Sequence, residues 1–253
     1  MSTVTNLRSF WRYSRLGRSA RAAMNLMPRD TVLPILRGPL RGKKWVVRSS
    51  FQSCWFGVYE YEKQVVFQQS VRKGDVVYDI GANVGFYTLL ASELVGSEGT
   101  VVAFEPLPRN LALLRRHVHL NGLSNVEIIE GAVSEEAGTA RFAAEGLPEM
   151  GHLTDEGGME VKMHQVDALV GSGRIPPPKV MKIDVEGAEL SVLRGAHEVL
   201  KQHRPQILLA THGLEVHRQC VDLLREAGYA LSSMDDKPLE ESSEVKAVPG
   251  GQG

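Results

Sequence analysis

Residues that could bind a small charged molecule follow a strongly apolar segment near the middle of the first half of the chain. Asp79, Gly81 and Gly85 come directly after residues 76–78, in the spacing D-x-G-x-x-x-G, and a helical pattern begins at Phe86. Glycines in such a turn permit tight backbone angles and let a ligand approach closely. Free N–H groups at the start of a helix attract an anionic group. The segment therefore predicts a strand, a turn and a helix that together bind a ligand.

Two acids near this turn indicate the kind of ligand. A dinucleotide would place its pyrophosphate at the turn, where Asp79 would repel it, whereas an ammonium group would be attracted. Glu105 ends a second apolar run, twenty residues after Gly85, and an acid there can accept hydrogen bonds from ribose hydroxyls. S-adenosylmethionine has an ammonium group, a carboxylate and a ribose. The two acids together therefore favour S-adenosylmethionine over NAD. In a plainer interpretation, they only cap the ends of strands.

The composition is typical of one large folded domain. The chain has 253 residues, of which 43% are hydrophobic and 23% charged, which is enough for a full core. Its two cysteines, Cys54 and Cys220, lack metal-ligand spacing, which indicates a reduced, cytoplasmic protein without structural disulfides. No apolar run approaches the roughly 20 residues of a membrane span.

Positive charge is concentrated at the N-terminus. Residues 1–44 carry eight arginines, two lysines and one aspartate, whereas the whole chain has a net charge of −1. We predict that this extension is helical over residues 5–27 and packs on the domain with its arginines solvated. In the alternative, it docks on an anionic membrane or another polyanion, so that the protein is membrane-associated. Residues 45–249 are predicted to form the main domain, and residues 250–253 a tail.

The remaining segments alternate between strands and helices, which predicts an α/β fold with a doubly wound, mostly parallel sheet. Among the predicted elements are a strand over residues 126–133 and a helix over residues 188–203. A loop over residues 145–159 is rich in glycine and acid. The ligand of such a fold binds at the carboxyl ends of the strands. Histidines within helical patterns, His117 among them, are predicted to be surface residues.

Three acids lie at the end of the strand predicted over residues 180–185 and just after it. Glu186 and Glu189 suit the start of the next helix, where acids interact favourably with the helix dipole. Asp184 is poorly explained in this way, because it follows apolar Ile183 at the edge of the sheet where the ligand should lie. Asp184 is therefore a candidate functional residue.

Four segments resemble the FkbM-type methyltransferases, most of all MKIDVEGAELSVLRGA. The others are DIGANVGFYTLLA, VVAFEPLPRNLALLRRHVHLNGL and NVEIIEGAVSE, and the resemblance extends from about Gly57 to Pro249. It implies the Rossmann-like class I methyltransferase sheet of seven strands, in the order 3-2-1-4-5-7-6 with strand 7 antiparallel. It also implies S-adenosylmethionine as the cofactor and O-methylation of a sugar, glycolipid or natural product.

The resemblance further implies which residues contact the cofactor. By motif match, the cofactor site is lined by Asp79, Gly81, Asn83, Gly85 and Glu105, with Ala132, Val133 and Ser134 against the adenine. Glu60 belongs to a G-x-Y-E element, residues 57–60, which is expected to close over the cofactor. Most class I enzymes have an acid near the position of Ala132, so adenine recognition here is expected to rest on the backbone or on Ser134.

Methyl transfer to a hydroxyl requires alignment of the acceptor oxygen and a base for its proton. His212 is the first candidate for the base, because its unperturbed pKa lies near neutrality. Its alternative role is a hydrogen bond at a strand end. Asp184 is the second candidate, either as the base or as the group that accepts a hydrogen bond from a substrate hydroxyl. In the strand order that the resemblance implies, Asp184 and His212 lie at the ends of neighbouring strands, so their side chains would converge. The family often carries Glu-x-His after strand 5, but Thr211 replaces the acid here, so the resemblance gives His212 no acidic partner.

A metal is the alternative use of the same acids. Asp184 and Glu186 could hold Mg²⁺, which prefers carboxylate and water ligands. No third ligand is evident in the sequence, so we predict no metal site and assign Glu186 with Asp184 to catalysis.

Three rival functions fit parts of the sequence. A nucleic-acid methyltransferase could use the basic N-terminus, but residues 184–187 read DVEG, without the aromatic that stacks on a flipped base. The acidic main domain also repels phosphates. We therefore expect no nucleic-acid partner and a hydroxyl-bearing small molecule or glycan as acceptor. A non-catalytic cofactor-binding module is supported only by the replacement of the family's acid by Thr211. An NAD-dependent oxidoreductase is supported only by Glu105, because an acid that binds ribose hydroxyls also occurs in NAD sites.

Overall fold

The computed structural model describes residues 27–143, 152–153 and 159–251. The helix predicted over residues 5–27 and the loop predicted over residues 145–159 lie almost entirely outside these ranges. Contacts between Cα atoms separate the chain into two compact units, with the boundary between Val58 and Tyr59. The domain boundary proposed from the sequence, between residues 44 and 45, stays a prediction.

The described part of the smaller unit contains an antiparallel hairpin. Strand β1, Val32–Pro34, pairs with β2, Lys44–Val46. The connecting loop contains Gly38 and Gly42, both with positive φ, a conformation that glycine adopts without steric cost. The short helix α1, Gln52–Phe56, follows the hairpin.

Strands and helices alternate over much of the larger unit, as predicted. Its strands are β3 (Val76–Ile80), β4 (Thr100–Glu105), β5 (Val126–Glu130), β6 (Ala132–Val133), β7 (Gly138–Ala143), β8 (His152–Leu153), β9 (Met159–His164), β10 (Val180–Ile183), β11 (Gln206–Ala210), β12 (Tyr229–Ser233) and β13 (Glu244–Pro249). Its helices are α2 (Tyr61–Ser70), α3 (Phe86–Val95), α4 (Pro108–Leu120), α5 (Val166–Gly171), α6 (Glu189–Arg194), α7 (His197–Gln202) and α8 (Leu214–Glu226). Within the part of the chain that the structure describes, no helix combines the length and apolar character needed to cross a bilayer.

A seven-stranded sheet holds the larger unit together, in the order β12-β13-β11-β10-β3-β4-β5. Neighbouring strands from β11 to β5 are parallel, and β13 runs antiparallel to both β11 and β12. From the β5 edge, this order is 3-2-1-4-5-7-6 with strand 7 antiparallel, so the predicted sheet is confirmed. Every residue of β10 is buried, as is typical of a central parallel strand. The carboxyl ends of β3, β4, β10 and β11 therefore meet at one edge.

The strand predicted over residues 126–133 is interrupted, so that part of the prediction was wrong. Strand β5 ends at Glu130, and β6 pairs with β9 in a separate four-stranded sheet of order β6-β9-β7-β8. Gly131 lies at the break with φ +144°, and a Cβ there would stand 2.6 Å from the Lys162 carbonyl oxygen. The chain changes sheets at the residue that tolerates both the backbone angle and this close approach.

The helix predicted over residues 188–203 is also two elements, α6 and α7. They divide at Gly195 and Ala196. A Cβ at Gly195 would lie 2.0 Å from the carbonyl oxygen of Ser134. The single-helix prediction was wrong because this contact between distant backbone segments has no signature in the local apolar pattern.

Candidate active site

The turn between β3 and α3 is held by the ends of two neighbouring strands. The N–H groups of Gly81 and Ala82 donate to the carbonyl of Phe104 in β4, at 3.1 and 2.9 Å. On the other side, a Cβ at Gly81 would lie 1.9 Å from the carbonyl oxygen of Asp184, and Gly81 has φ +79°. Glycine is therefore required here because the protein's own backbone approaches closely, whether or not a ligand also contacts this residue.

Other amide groups of the turn are also used within the protein. Asn83 donates its N–H to the Glu105 carboxylate at 2.8 Å, and Gly85 donates to the carbonyl of Ala82 at 2.8 Å. The N–H groups of Gly81, Ala82, Asn83 and Gly85 are thus already bonded within the protein, so this part of the turn offers few donors to an anionic group.

Substituting Gly81 by alanine is expected to lower the free energy of unfolding by about 2–3 kcal/mol, from the positive φ and the backbone collision together. Gly122→Ala is the matched control, because Gly122 has φ +61° and no atom within 4 Å of a built Cβ. It should lose only about 1 kcal/mol. Urea denaturation of both variants measures the difference. Equal losses of unfolding free energy would show that the backbone at Asp184 moves aside without strain when a Cβ is added at Gly81.

Asp79 is fully buried at the end of β3 and lies in an ion pair. Its Oδ2 accepts a hydrogen bond from the Thr88 hydroxyl at 2.6 Å, and its Oδ1 lies 3.2 Å from Nζ of Lys182. Lys182 also donates to the carbonyl of Gly81 at 2.9 Å. Burial lowers the pKa of Lys182, but Asp79 and, to a smaller extent, Asp184 raise it by more. The net pKa is therefore raised, and the lysine stays charged. Contact between Asp79 and a cofactor ammonium group stays a prediction.

Glu105 is buried at the carboxyl end of β4. Its carboxylate accepts hydrogen bonds from the N–H of Asn83 at 2.8 Å, the N–H of Leu107 at 2.9 Å and the side-chain amide of Asn110 at 3.3 Å. Burial raises the pKa of Glu105, and these hydrogen bonds oppose the increase. Because each carboxylate oxygen can accept two hydrogen bonds, capacity remains for one ribose hydroxyl. That contact stays a prediction.

Lys63 of α2 joins acids from three elements. Its Nζ lies 2.7 Å from Glu244 at the start of β13, 3.1 Å from Glu60 and 3.9 Å from Asp184. Burial lowers the pKa of Lys63, but these three acids raise it by more, so that the pKa lies above its usual range. Lys63, Lys182, Asp184 and Glu244 all line a cleft of about 270 Å³. Glu60, the acid expected to close over the cofactor, is thus tied to the edge of this cleft.

The segment predicted to contact adenine is β6 and the residue after it. Val133 is buried, and Ala132 packs against a cluster that includes Leu107. The hydroxyl groups of Ser134 and Ser191 lie 3.0 Å apart. The placement of adenine against these residues stays a prediction.

His212 follows β11 and stands among the acids of the turn between β10 and α6. Its Nε2 lies 3.4 Å from Oε2 of Glu186 and 3.9 Å from Oδ1 of Asp184. Its Nδ1 lies 2.7 Å from Oε1 of Glu189. The hydrogen bond with Glu189 raises the pKa of His212, partial burial opposes this, and Glu186 and Asp184 raise it further. The structure thus brings His212 and Asp184 together, and it gives His212 an acidic partner, Glu189, from another element.

The same group of side chains could hold a metal ion. Asp184, Glu186 and His212 offer ligand atoms that all lie within 4.8 Å of one another, so the tertiary structure adds a third donor that was not evident from the sequence. One imidazole and two carboxylates suit divalent ions such as Mn²⁺ or Zn²⁺. Exposed acidic groups also cluster without an ion, and the expectation that no metal binds here stays a prediction.

His117 was predicted to be a surface residue, and this was wrong. It is fully buried in α4, and its Nδ1–H donates to the carbonyl of Val84 at 2.7 Å, which ties the helix to the β3–α3 turn. Burial lowers its pKa to about 4. A signal was present in the sequence, since His117 follows Leu111 and Leu114 at helical spacing and shares their buried face.

Sequence reasoning also did not identify Lys63, Lys182 or the contact made by Glu189. Lys182 had a signal, because a single lysine within the apolar strand β10 is rarely buried unless it is paired. The partners of Lys63 and Glu189 come from other elements, and no local pattern identifies them.

Comparison with known proteins identifies the family. The methyltransferase FkbM domain matches residues 79–231, more than half of the chain. The chain belongs to the FkbM methyltransferase family. The part that matches the FkbM domain contains the β3–α3 turn, Glu105 and His212 with its acidic neighbours, whereas Glu60 and Lys63 precede it.

Two known methyltransferases are similar to the chain over different lengths. The hexuronic acid methyltransferase AglP of Haloferax volcanii is 31% identical over 135 residues, which are 53% of this chain and 54% of AglP. The 31-O-demethyl-FK506 methyltransferase FkbM of Streptomyces tacrolimicus is 28% identical over 213 residues, covering 70% of this chain and 81% of that protein.

A solved methyltransferase FkbM, from Methylobacillus flagellatus KT, is similar in fold. It superposes with a TM-score of 0.50 and 16% identity, over 78% of this chain and 53% of its own. At that identity, the likeness concerns the fold alone. The chain thus spans about half the length of AglP and of this solved protein.

Proposed function

We propose that this FkbM-family protein is an enzyme that transfers the methyl group of S-adenosylmethionine to a hydroxyl of a sugar, glycolipid or natural product. The observation that carries the proposal is the meeting of His212 and Asp184, whose Nε2 and Oδ1 atoms are 3.9 Å apart. They lie at the ends of neighbouring parallel strands, at the edge where such folds bind their ligands. A base beside a hydrogen-bond acceptor at that edge suits the removal of a hydroxyl proton.

The charges around this edge fit a cationic cofactor. Beside the two lysines, Lys63 and Lys182, stand the acids Glu60, Asp79, Asp184, Glu186, Glu189 and Glu244. S-adenosylmethionine carries a sulfonium and an ammonium charge, which surrounding carboxylates stabilise, whereas pyrophosphate or nucleic-acid phosphates would be repelled. The acid excess therefore supports S-adenosylmethionine over NAD, and a small acceptor over a nucleic acid.

Three side chains at the edge have roles in the proposed reaction. When bound, S-adenosylmethionine would supply an electrophilic methyl group, and its transfer would release a neutral thioether. Asp184 orients the acceptor by accepting a hydrogen bond from its hydroxyl, and Nε2 of His212 takes the hydroxyl proton. Glu186, 3.4 Å from Nε2, stabilises the imidazolium that forms.

The class of acceptor is proposed from the relatives. AglP is a hexuronic acid methyltransferase, and FkbM acts on a 31-O-demethyl form of FK506. A hexuronic acid offers hydroxyl and carboxyl oxygens, and a 31-O-demethyl compound offers a hydroxyl oxygen, so a hydroxyl is the acceptor group that the two relatives have in common. Mass spectrometry of products from a panel of sugars, glycolipids and polyketides with S-adenosylmethionine tests the proposal. Products methylated on oxygen are expected, and methylation of RNA or DNA alone would favour the nucleic-acid alternative.

Glu105→Ala is expected to weaken S-adenosylmethionine binding by about 1–3 kcal/mol, because ribose hydroxyls would lose a buried acceptor. Asn110→Ala is the matched control, since Asn110 contacts the same carboxylate without a predicted role at the ribose. Isothermal titration measures both variants, with circular dichroism to confirm folding. Unchanged affinity in a folded Glu105→Ala protein would place the ribose elsewhere, and preferential binding of NAD by the wild type would favour an oxidoreductase.

A further inference from the structure

Glu189 differs from the other acids of its turn in its surroundings. It is the first residue of α6 and is fully buried, whereas Asp184 and Glu186 are partly exposed. Burial of a carboxylate is unfavourable unless hydrogen bonds or a cation compensate for the lost water. A residue that only capped the helix could remain at the surface, so the burial of Glu189 points to a further role.

One oxygen of Glu189 makes two contacts. Oε1 accepts a hydrogen bond from the N–H of Gly187 at 2.9 Å, which fixes the carboxylate within its own turn. The same oxygen lies 2.7 Å from Nδ1 of His212, 23 residues further along the chain. Because an ionised carboxylate can only accept, Nδ1 carries the hydrogen. The lone pair of the neutral imidazole is then on Nε2, which faces Asp184 and Glu186.

We propose that Glu189 is a positioning residue for methyl transfer, which holds His212 in the Nδ1–H tautomer with Nε2 directed at the acceptor hydroxyl. The inference rests on the proposed function, in which His212 is the base. A buried carboxylate behind a histidine acts in this way in other enzymes, where it fixes the tautomer and stabilises the imidazolium. Thr211 does not serve this purpose, because its hydroxyl lies 3.0 Å from Nδ1 of His217.

Charged and titratable groups approach His212 from several elements. Asp184, Glu186 and Glu189 come from the turn between β10 and α6, and Lys63 of α2 lies 3.9 Å from Asp184. Helix α8, which packs against α6, brings His217 and Cys220 to this region. Among them, the contact with Glu189 contributes most to the raised pKa of His212. Removal of this one negative charge should therefore lower that pKa.

The variant Glu189→Gln separates charge from shape. Its side-chain oxygen can still accept from both Gly187 and Nδ1 of His212, but the negative charge is gone. Turnover, kcat, at high pH should fall about tenfold, as part of the total contribution of a general base, with the acceptor KM unchanged. The acidic limb of the kcat–pH profile should move to lower pH, because the imidazole loses its proton more readily. A purely structural role of Glu189 would not move this limb.

Glu198→Gln is the matched control. Glu198 and His197 form another histidine–glutamate pair, 3.0 Å apart, on the exposed side of α7. This variant should leave both kcat and its pH profile unchanged. Glu189→Asp restores the charge and should return the acidic limb toward its wild-type position.

Nitrogen-15 NMR of the wild-type protein provides a test that requires no variant to fold. The His212 signals are assigned by their loss in His212→Gln, and the neutral ring is expected to carry its proton on Nδ1. A neutral ring protonated on Nε2, or an unchanged His212 pKa in folded Glu189→Gln, would overturn the role of Glu189. If the wild-type ring carries its proton on Nδ1 but His212→Ala keeps full activity, the proposed function is overturned. The contact between Glu189 and His212 is then still confirmed.

Discussion

Replacement of His212 by alanine is expected to lower kcat by about 10²–10⁴-fold and to leave the affinity for S-adenosylmethionine unchanged. The reason is the position of Nε2, within 3.9 Å of Asp184, where it can take the acceptor proton. Steady-state kinetics with the acceptor from the product screen measures the first effect, and isothermal titration the second. His197→Ala, at the exposed surface of α7, is the control and should retain full activity.

The pH dependence of wild-type kcat provides a second measure of the same group. Only the neutral imidazole can accept a proton, so kcat should fall as the pH decreases through the pKa of His212. Since Glu189, Glu186 and Asp184 raise this pKa, activity should be lost at a higher pH than for an unperturbed histidine.

Two outcomes would remove the base from this mechanism. Full activity in His212→Ala would leave alignment of the acceptor by Asp184 as the main contribution of this edge. Loss of wild-type activity on chelation, with recovery on addition of a divalent ion, would assign Asp184, Glu186 and His212 to metal binding instead.

Lys182→Met is expected to lower the free energy of unfolding by about 3–5 kcal/mol, because it leaves the carboxylate of Asp79 buried without its cation. Asp79 is fully buried and lies 3.2 Å from Nζ of Lys182. Methionine matches the length and apolar stem of lysine, so the loss reports mainly on the charge. Urea denaturation monitored by circular dichroism measures the effect.

Lys179→Met is the matched control for this variant. Lys179 directly precedes β10 and is exposed, so its loss should change the stability by less than about 0.5 kcal/mol. In the double variant Asp79→Leu and Lys182→Met, part of the stability should return, because neither charge is left unpaired. A loss in Lys182→Met no greater than in Lys179→Met would show that Asp79 is compensated by other groups, such as Thr88.

The sequence by itself determined the α/β class and predicted the edge of the sheet at which a site should lie. Alternating apolar runs and helical patterns predicted the α/β class, and the resemblance of the motifs around Asp79 and Asp184 to the FkbM-type methyltransferases implied the strand order that the structure confirms. The fold class and the candidate acids could be predicted because strand and helix periods, and the acids that follow a strand, are patterns of consecutive residues. The carboxyl ends of parallel strands lie at one edge, and the implied strand order makes strands 4 and 5 neighbours, so the sequence already placed His212 near Asp184 as an expectation.

Only the tertiary structure decided which groups pair at that edge. Glu189 with His212, Lys182 with Asp79, and Lys63 with Glu244 are pairs between separate elements. The breaks at Gly131 and Gly195 likewise follow from the approach of distant backbone segments. The energy of a hydrogen bond or ion pair depends on distances of a few ångströms and on burial. Neither quantity is fixed until the elements pack against one another, so these pairings had no signature in the local sequence.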